Sequence, residues 1–162
     1  MDCPGLPKES AIPLALRACV ALERRHIAGV VLEATINGAA RREGIHWTKL
    51  SPDVAATSDE LRVTEEGAVA IALALSARHF QWRVVRCLQS RLGEGADWLM
   101  LDASKRHVVL EVGGTDAGRL NALLAVKMDQ ARRSMFSRRS VPAACVVRFV
   151  EPRALLTSDH EP

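Results

Sequence analysis

Asp97 and Glu111 are the residues of this 162-residue chain whose types and setting come nearest to a reactive site. Asp97 opens the segment ADWLMLD, Glu111 lies near the end of HVVLEV, and the short stretch ASKR separates the two segments. Both segments read as strands, the second rich in β-branched residues. An antiparallel pair about the ASKR turn brings the two carboxylates alongside one another near one sheet edge. Carboxylates so placed can hold Mg²⁺ or Mn²⁺ together with water and a substrate phosphate. Such a metal activates water and neutralises charge developing at a phosphodiester. Glu111 stands between Leu110 and Val112, where an uncompensated buried carboxylate is costly. Alternate strand residues also point outward, so the same residue can meet solvent or an arginine instead.

Other chemical templates are weaker. Ser, His and Asp are present without a GxSxG elbow, and His26, His46, His79 and His107 are dispersed without HExxH spacing. Cys3, Cys19, Cys87 and Cys145 lie far apart with no CxxC, which reads as reduced cysteine rather than a zinc site or disulfide framework. GGTDAG lacks the Walker lysine and the GxGxxG spacing, so its glycines read as a sharp strand-to-helix turn. Arg132, Arg133, Arg138 and Arg139 form a basic stretch. It suits either a nucleic-acid backbone or the solvated end of a helix.

The elements that must position these residues follow from periodicity. From Leu14 to about Arg42 the apolar spacing reads mainly as helix, broken near Gly29. REGIHWTKLSPDVAATSDELR reads as a connection that Trp47 can anchor to the core. Thr64 is a candidate cap for the helix EEGAVAIALALSAR. HFQWRVVRCLQSRL suits a strand that loses regularity, or a helix continuing to Leu92. After the hairpin, RLNALLAVKMDQARRSMF has helical spacing, Asp116 is suited to cap it, and AACVVRFV is a further strand. The tail EPRALLTSDHEP is expected to turn and fray. The predicted fold is α/β, a central mixed sheet flanked by helices, in one domain over 1–162. Residues 1–63 would form an N-terminal helical extension and 64–150 the core.

Composition limits the partners. Apolar residues make up 48% and charged residues 25%, an ordinary globular balance. Three Phe, three Trp and no Tyr argue against a broad stacking platform for single-stranded bases. The formal charge of +3 permits a nucleic-acid or other anionic partner without identifying one. Arginine far outnumbers lysine, which suits bidentate contacts to phosphate or carboxylate. MDCPGLPKES lacks a signal-peptide pattern and VAIALAL is short of a membrane span, so a cytoplasmic protein without a membrane partner is expected. Oligomeric state is left open.

From Thr64 to Val150 the chain resembles the PD-(D/E)XK nuclease superfamily, whose core runs helix, three strands, helix, strand. Asp97 matches the acid that begins the second core strand, and Glu111 matches the acid of the E-x-K half-motif on the third. The resemblance implies a restriction-endonuclease-like core and Mg²⁺-dependent hydrolysis of DNA or RNA phosphodiesters by Asp97 and Glu111. Some members of the superfamily are noncatalytic. Glu111, Val112 and Gly113 depart from the motif, because glycine occupies the lysine position. Lys127 in the following helix is a candidate replacement, with Gln130 one turn further on. Glu66, or its neighbour Glu65, is a candidate for the acid that the superfamily often carries on its first core helix, although both also suit a helix start. The competing reading is a catalytically inactive version of the fold that serves as a protein-interaction or regulatory module. Its Ala-rich helices would then pack on a partner, or simply build the core. Nonhydrolytic nucleic-acid recognition is a third reading.

Overall fold

A computed structural model describes residues 4–56, 58–88, 97–134, 136 and 139–159. A seven-stranded mixed sheet organises the chain, flanked by helices on both faces. The elements are α1 (Lys8–Glu23), β1 (Gly29–Ile36), β2 (Ala39–His46), α2 (Pro52–Ala56), α3 (Glu60–Phe80), β3 (Arg83–Cys87), β4 (Trp98–Leu101), β5 (His107–Thr115), α4 (Leu120–Arg133), β6 (Ser140–Arg148) and β7 (Arg153–Ser158). The strand order is β2-β1-β7-β6-β5-β4-β3. β5 and β6 are parallel, joined by a crossover through α4, and β1 and β7 are the other parallel pair.

The first 63 residues depart from the expected helical extension. Among the described residues there, α1, the short α2 and the first turn of α3 are helical, and residues 29–46 form a β-hairpin that joins the same sheet. Asn37 and Gly38 make its two-residue turn with positive φ of 45° and 82°. This handedness matches the twist of the flanking strands, and Asn-Gly is the sequence that adopts it most readily. Beyond the hairpin, Trp47 anchors the connection as expected, donating its indole N–H to Glu23 Oε2 at 3.1 Å. The tail also differs from the frayed end expected. Its residues Arg153–Ser158 form β7, which lies between β1 and β6 and buries Ala154 and Leu156.

From α3 onward the order of helix, three strands, helix and strand is as expected for residues 64–150. α3 starts earlier than Thr64: Asp59 caps it by accepting the Arg62 N–H at 2.8 Å. Thr64 lies one turn inside and donates to the Glu60 carbonyl at 3.1 Å. The helix stops at Phe80 because Gln81 adopts the left-handed conformation, where its N–H reaches the Ala77 carbonyl at 3.1 Å. Phe80 then stacks on the buried Trp82 with centroids 4.6 Å apart, which fixes the entry to β3 and rules out a helix continuing towards Leu92.

Three alanines of α3 are interior: Ala68, Ala70 and Ala72 are fully buried, with α1 packed on one side and the sheet on the other. Val108, Leu110 and Val112 of β5 join that core. Val109, Glu111 and Gly113 face α4 instead, so β5 is covered on both sides. No helix among the described residues is long and apolar enough to cross a membrane.

Gly114 fixes how closely α3 approaches. A Cβ there would stand 2.2 Å from the Thr64 carbonyl oxygen and 3.0 Å from Ala68 Cβ, so helix and strand would have to separate. At Gly113 a Cβ would meet only Leu123 Cδ2 at 3.2 Å, Leu123 Cγ at 3.3 Å and Lys127 Cε at 3.4 Å, which are side chains able to shift. Gly114→Ala is therefore expected to cost about 2–3 kcal/mol by overpacking. Gly113→Ala is expected to cost less than about 1 kcal/mol, and urea titration of the two variants reads the difference.

Candidate active site

β4 and β5 pair antiparallel with Trp98 opposite Leu110 and Leu101 opposite His107. The register places Asp97, at the entrance to β4, beside Glu111 on the face covered by α4. The hairpin turn is held by Asp102, which accepts the Arg106 N–H at 2.8 Å and Arg106 Nε at 2.9 Å. Asp102 is accordingly a turn residue. Asp97 is held at both ends: its carbonyl accepts from Leu88 N at 2.9 Å, and its Oδ2 accepts from Val112 N at 2.8 Å.

Glu111 is 2% exposed. Lys127 comes down from α4, and its Nζ donates to Glu111 Oε2 at 3.2 Å. The lysine stem crosses the space above Gly113, with Cε 3.4 Å from where a Cβ would stand. Burial first, and then the Asp97 carboxylate, push Glu111 up to about 7, against the opposing pull of Lys127. Two carboxylates side by side repel, so the pair favours a state in which one of them carries a proton. The result is a pair of acids, one of which titrates near neutrality, with an ammonium group on one side.

Gln130 is exposed at the next turn of α4. Glu66 lies elsewhere, paired with Arg17 Nε at 3.5 Å and Arg62 Nε at 3.8 Å, where it ties α3 to α1. Glu65 is exposed, and neither acid starts the helix, whose first-turn acid is Glu60. Among the described residues no group of three His, Cys, Asp or Glu side chains could hold a metal ion. Asp97 and Glu111 thus stand as a pair, without Glu66.

Of the basic stretch, Arg132 is clamped by Asp159 through two bonds of 2.8 Å, and Arg133 pairs with Asp129. Arg139 is exposed and Arg138 lies outside the described residues. α4 has Arg119 at its cap position with no side-chain cap, so Asp116 does not cap it. The turn is closed instead by Gly118 N donating to Thr115 Oγ1 at 2.9 Å. Cys145 is wholly buried, and burial pushes its thiol up to about 12, which leaves it inert. Cys3 lies outside the described residues.

Sequence reasoning missed a second polar group on the same face. Arg119, Arg148 and Arg153 line an open cleft of about 740 Å³ beside the start of α4. Nothing short of strand order could have found it, since its walls come from β1, β2, β6, β7 and the start of α4. No family model, no curated protein and no solved structure matches the chain.

The raised Glu111 makes stability depend on pH. In the unfolded chain the group ionises near 4.5, and in the folded protein near 7. Between those values the folded state binds more protons, so its stability falls as pH rises through the window and levels off above it. Glu111→Gln removes this dependence. Relative to wild type, the metal-free variant is expected to gain on the order of 1–3 kcal/mol between pH 5 and pH 8, measured by urea unfolding at both pH values.

Proposed function

We propose that the chain is a divergent nuclease-like protein of the PD-(D/E)XK type that hydrolyses DNA or RNA phosphodiesters with Mg²⁺, or Mn²⁺ in its place. The observation that carries this reading is Lys127. Its amine meets Glu111 beside Asp97, and its stem occupies the space over Gly113, the position where the resemblance expects a lysine. An acid from the entrance to one strand, an acid from the next strand and an amine are thereby gathered by a different route from the usual motif.

Asp97 and Glu111 fit a divalent cation in one respect that can be tested. Two neighbouring carboxyl groups in a buried site resist ionising together, and a cation between them would relieve that repulsion. When bound, the cation would supply an activated water and neutralise charge on the phosphate. Lys127, freed from compensating Glu111, would orient the phosphate or the attacking water. Gln130, exposed one turn further on, would contact the substrate from the solvent side.

One observation favours the catalytically inactive alternative, a protein-interaction or regulatory module. Asp97, Glu111 and Lys127 already satisfy one another and the Val112 N–H, as a purely structural polar cluster would.

Cleavage of mixed single- and double-stranded DNA and RNA, with Mg²⁺ or Mn²⁺, separates the two. The expected result is metal-dependent cleavage that falls at least about 100-fold in Asp97→Asn and in Glu111→Gln, and at least about tenfold in Lys127→Ala. Circular dichroism checks that each variant is folded. No cleavage of any of these substrates by the wild-type chain would sink the enzymatic reading in favour of the inactive module.

A further inference from the structure

The acid pair is not the only polar feature on the face that α4 covers. α4 lies mainly over β5 and β6 and only touches β7, so part of that face formed by β1 and β7 stays open and becomes the floor of the 740 Å³ cleft. Arg148 and Arg153 are opposite each other in the β6–β7 pair and so point to the same side, with Leu155 two residues along. The rim is the start of α4, where Leu120, Asn121 and Ala122 line the cleft.

Three observations on this cleft converge. α4 begins without a side-chain cap and without an acid in its first turn, so its open N–H groups and positive end are uncompensated. Arg119 and Arg153 are both exposed, and neither has an ion-pair partner among the described residues. Arg148 is mostly buried. Its Nη2 is committed to Glu151, while its Nε is shut away from solvent with no acceptor. Glu33 is the one acid on the wall, and Arg42 Nε pairs with it at 3.3 Å. The net field in the cleft is therefore positive.

We propose that this cleft is a binding site for a phosphate group, distinct from the acid pair. Arg119 and Arg153 clamp the oxygens through their guanidinium groups, the first amides of α4 donate to a further oxygen, and Arg148 forms the base of the site. Arginine suits the task because its planar fork matches phosphate geometry in a way lysine does not. The site lies four residues along the sheet from Glu111, since Arg148 is paired with Thr115 of β5. That is roughly 13 Å at the usual strand rise. The phosphate can belong to a nucleic-acid backbone or to a small phosphorylated molecule, and its recognition does not depend on cleavage at Asp97 and Glu111.

Calorimetric titration with pyrophosphate at fixed ionic strength tests the site in the full chain. Saturable binding is expected, weakened at least about tenfold in Arg119→Ala/Arg153→Ala and unchanged in Arg86→Ala, which removes an exposed arginine of β3 at the far edge of the sheet. Both arginines are exposed, so the double variant should keep its fold, and each single variant is measured beside it with a circular dichroism check. Competition by an oligonucleotide assigns the phosphate to a nucleic-acid backbone, whereas pyrophosphate binding that an oligonucleotide leaves untouched assigns it to a small ligand. Absence of saturable pyrophosphate binding, or binding that the arginine variants leave unchanged, overturns the proposal. The titration is run without divalent metal, so it reads the cleft whether or not the acid pair cleaves a phosphodiester.

Discussion

A glutamate held at 2% exposure on a strand covered from both sides cannot stay charged without help, and much of the local architecture answers that demand. Water is excluded by β4 and β6 alongside and by α3 and α4 above and below. The compensation comes from Lys127, which must descend from a helix, whereas the Asp97 carboxylate one strand away works against the charged form and favours a proton on Glu111. A lysine reaching Glu111 from α4 has to lay its stem along the strand. It does so over position 113, where glycine leaves the room. The missing side chain on the strand and the amine on the helix are thus two sides of one packing solution: a longer residue at 113 would compete with Lys127 for the same volume.

The next residue serves the opposite face. Gly114 lets the Thr64 carbonyl of α3 approach to a distance that no side chain would permit. Of the two consecutive glycines, Gly114 therefore sets the height of α3 over β5, whereas Gly113 leaves room for the Leu123 and Lys127 side chains of α4. With α3 drawn close, its alanines fit between the sheet and α1, and Glu66 is occupied with Arg17 and Arg62 on the α1 side rather than with the acid pair. The opposite face has α4 alone among the longer helices, so its covering is incomplete and the cleft remains beside β1 and β7.

Legibility in the sequence followed the range of the interactions. The β4–β5 hairpin, α4 and β6 were readable because turn chemistry and periodicity are local, and pairing about ASKR was enough to put Asp97 opposite Glu111. Gly113 could be read as the vacant lysine position, and helical spacing made Lys127 a candidate, although that it would cross above Gly113 depends on how α4 docks. The N-terminal hairpin was legible in principle from Asn37-Gly38. The apolar residues from Leu14 onward instead matched helical spacing across both a helix and a strand. β7 was missed for a different reason. A short apolar run after EPR has no local feature that marks it as the strand between β1 and β6, and although it pairs with the nearby β6, its other partner lies more than a hundred residues upstream in β1. The arginine cleft was illegible on the same ground, since Arg148 and Arg153 meet Arg119 only once the strand order is known.

α4 connects the two polar sites mechanically. Residues 119–122 border the cleft and Lys127 meets the acid pair, a separation of about two helical turns or roughly 10 Å. A lysine borne by a strand would have its amine position set by the sheet itself. A lysine borne by α4 depends on how that helix rests on β5 and β6, through the buried Leu120, Met128 and Ala131. Those contacts are apolar and nondirectional, so they resist separation more strongly than a small slide along the helix axis. Anything that grips the start of α4 therefore bears directly on where the Lys127 amine stands above Glu111, and the two sites share one rigid element.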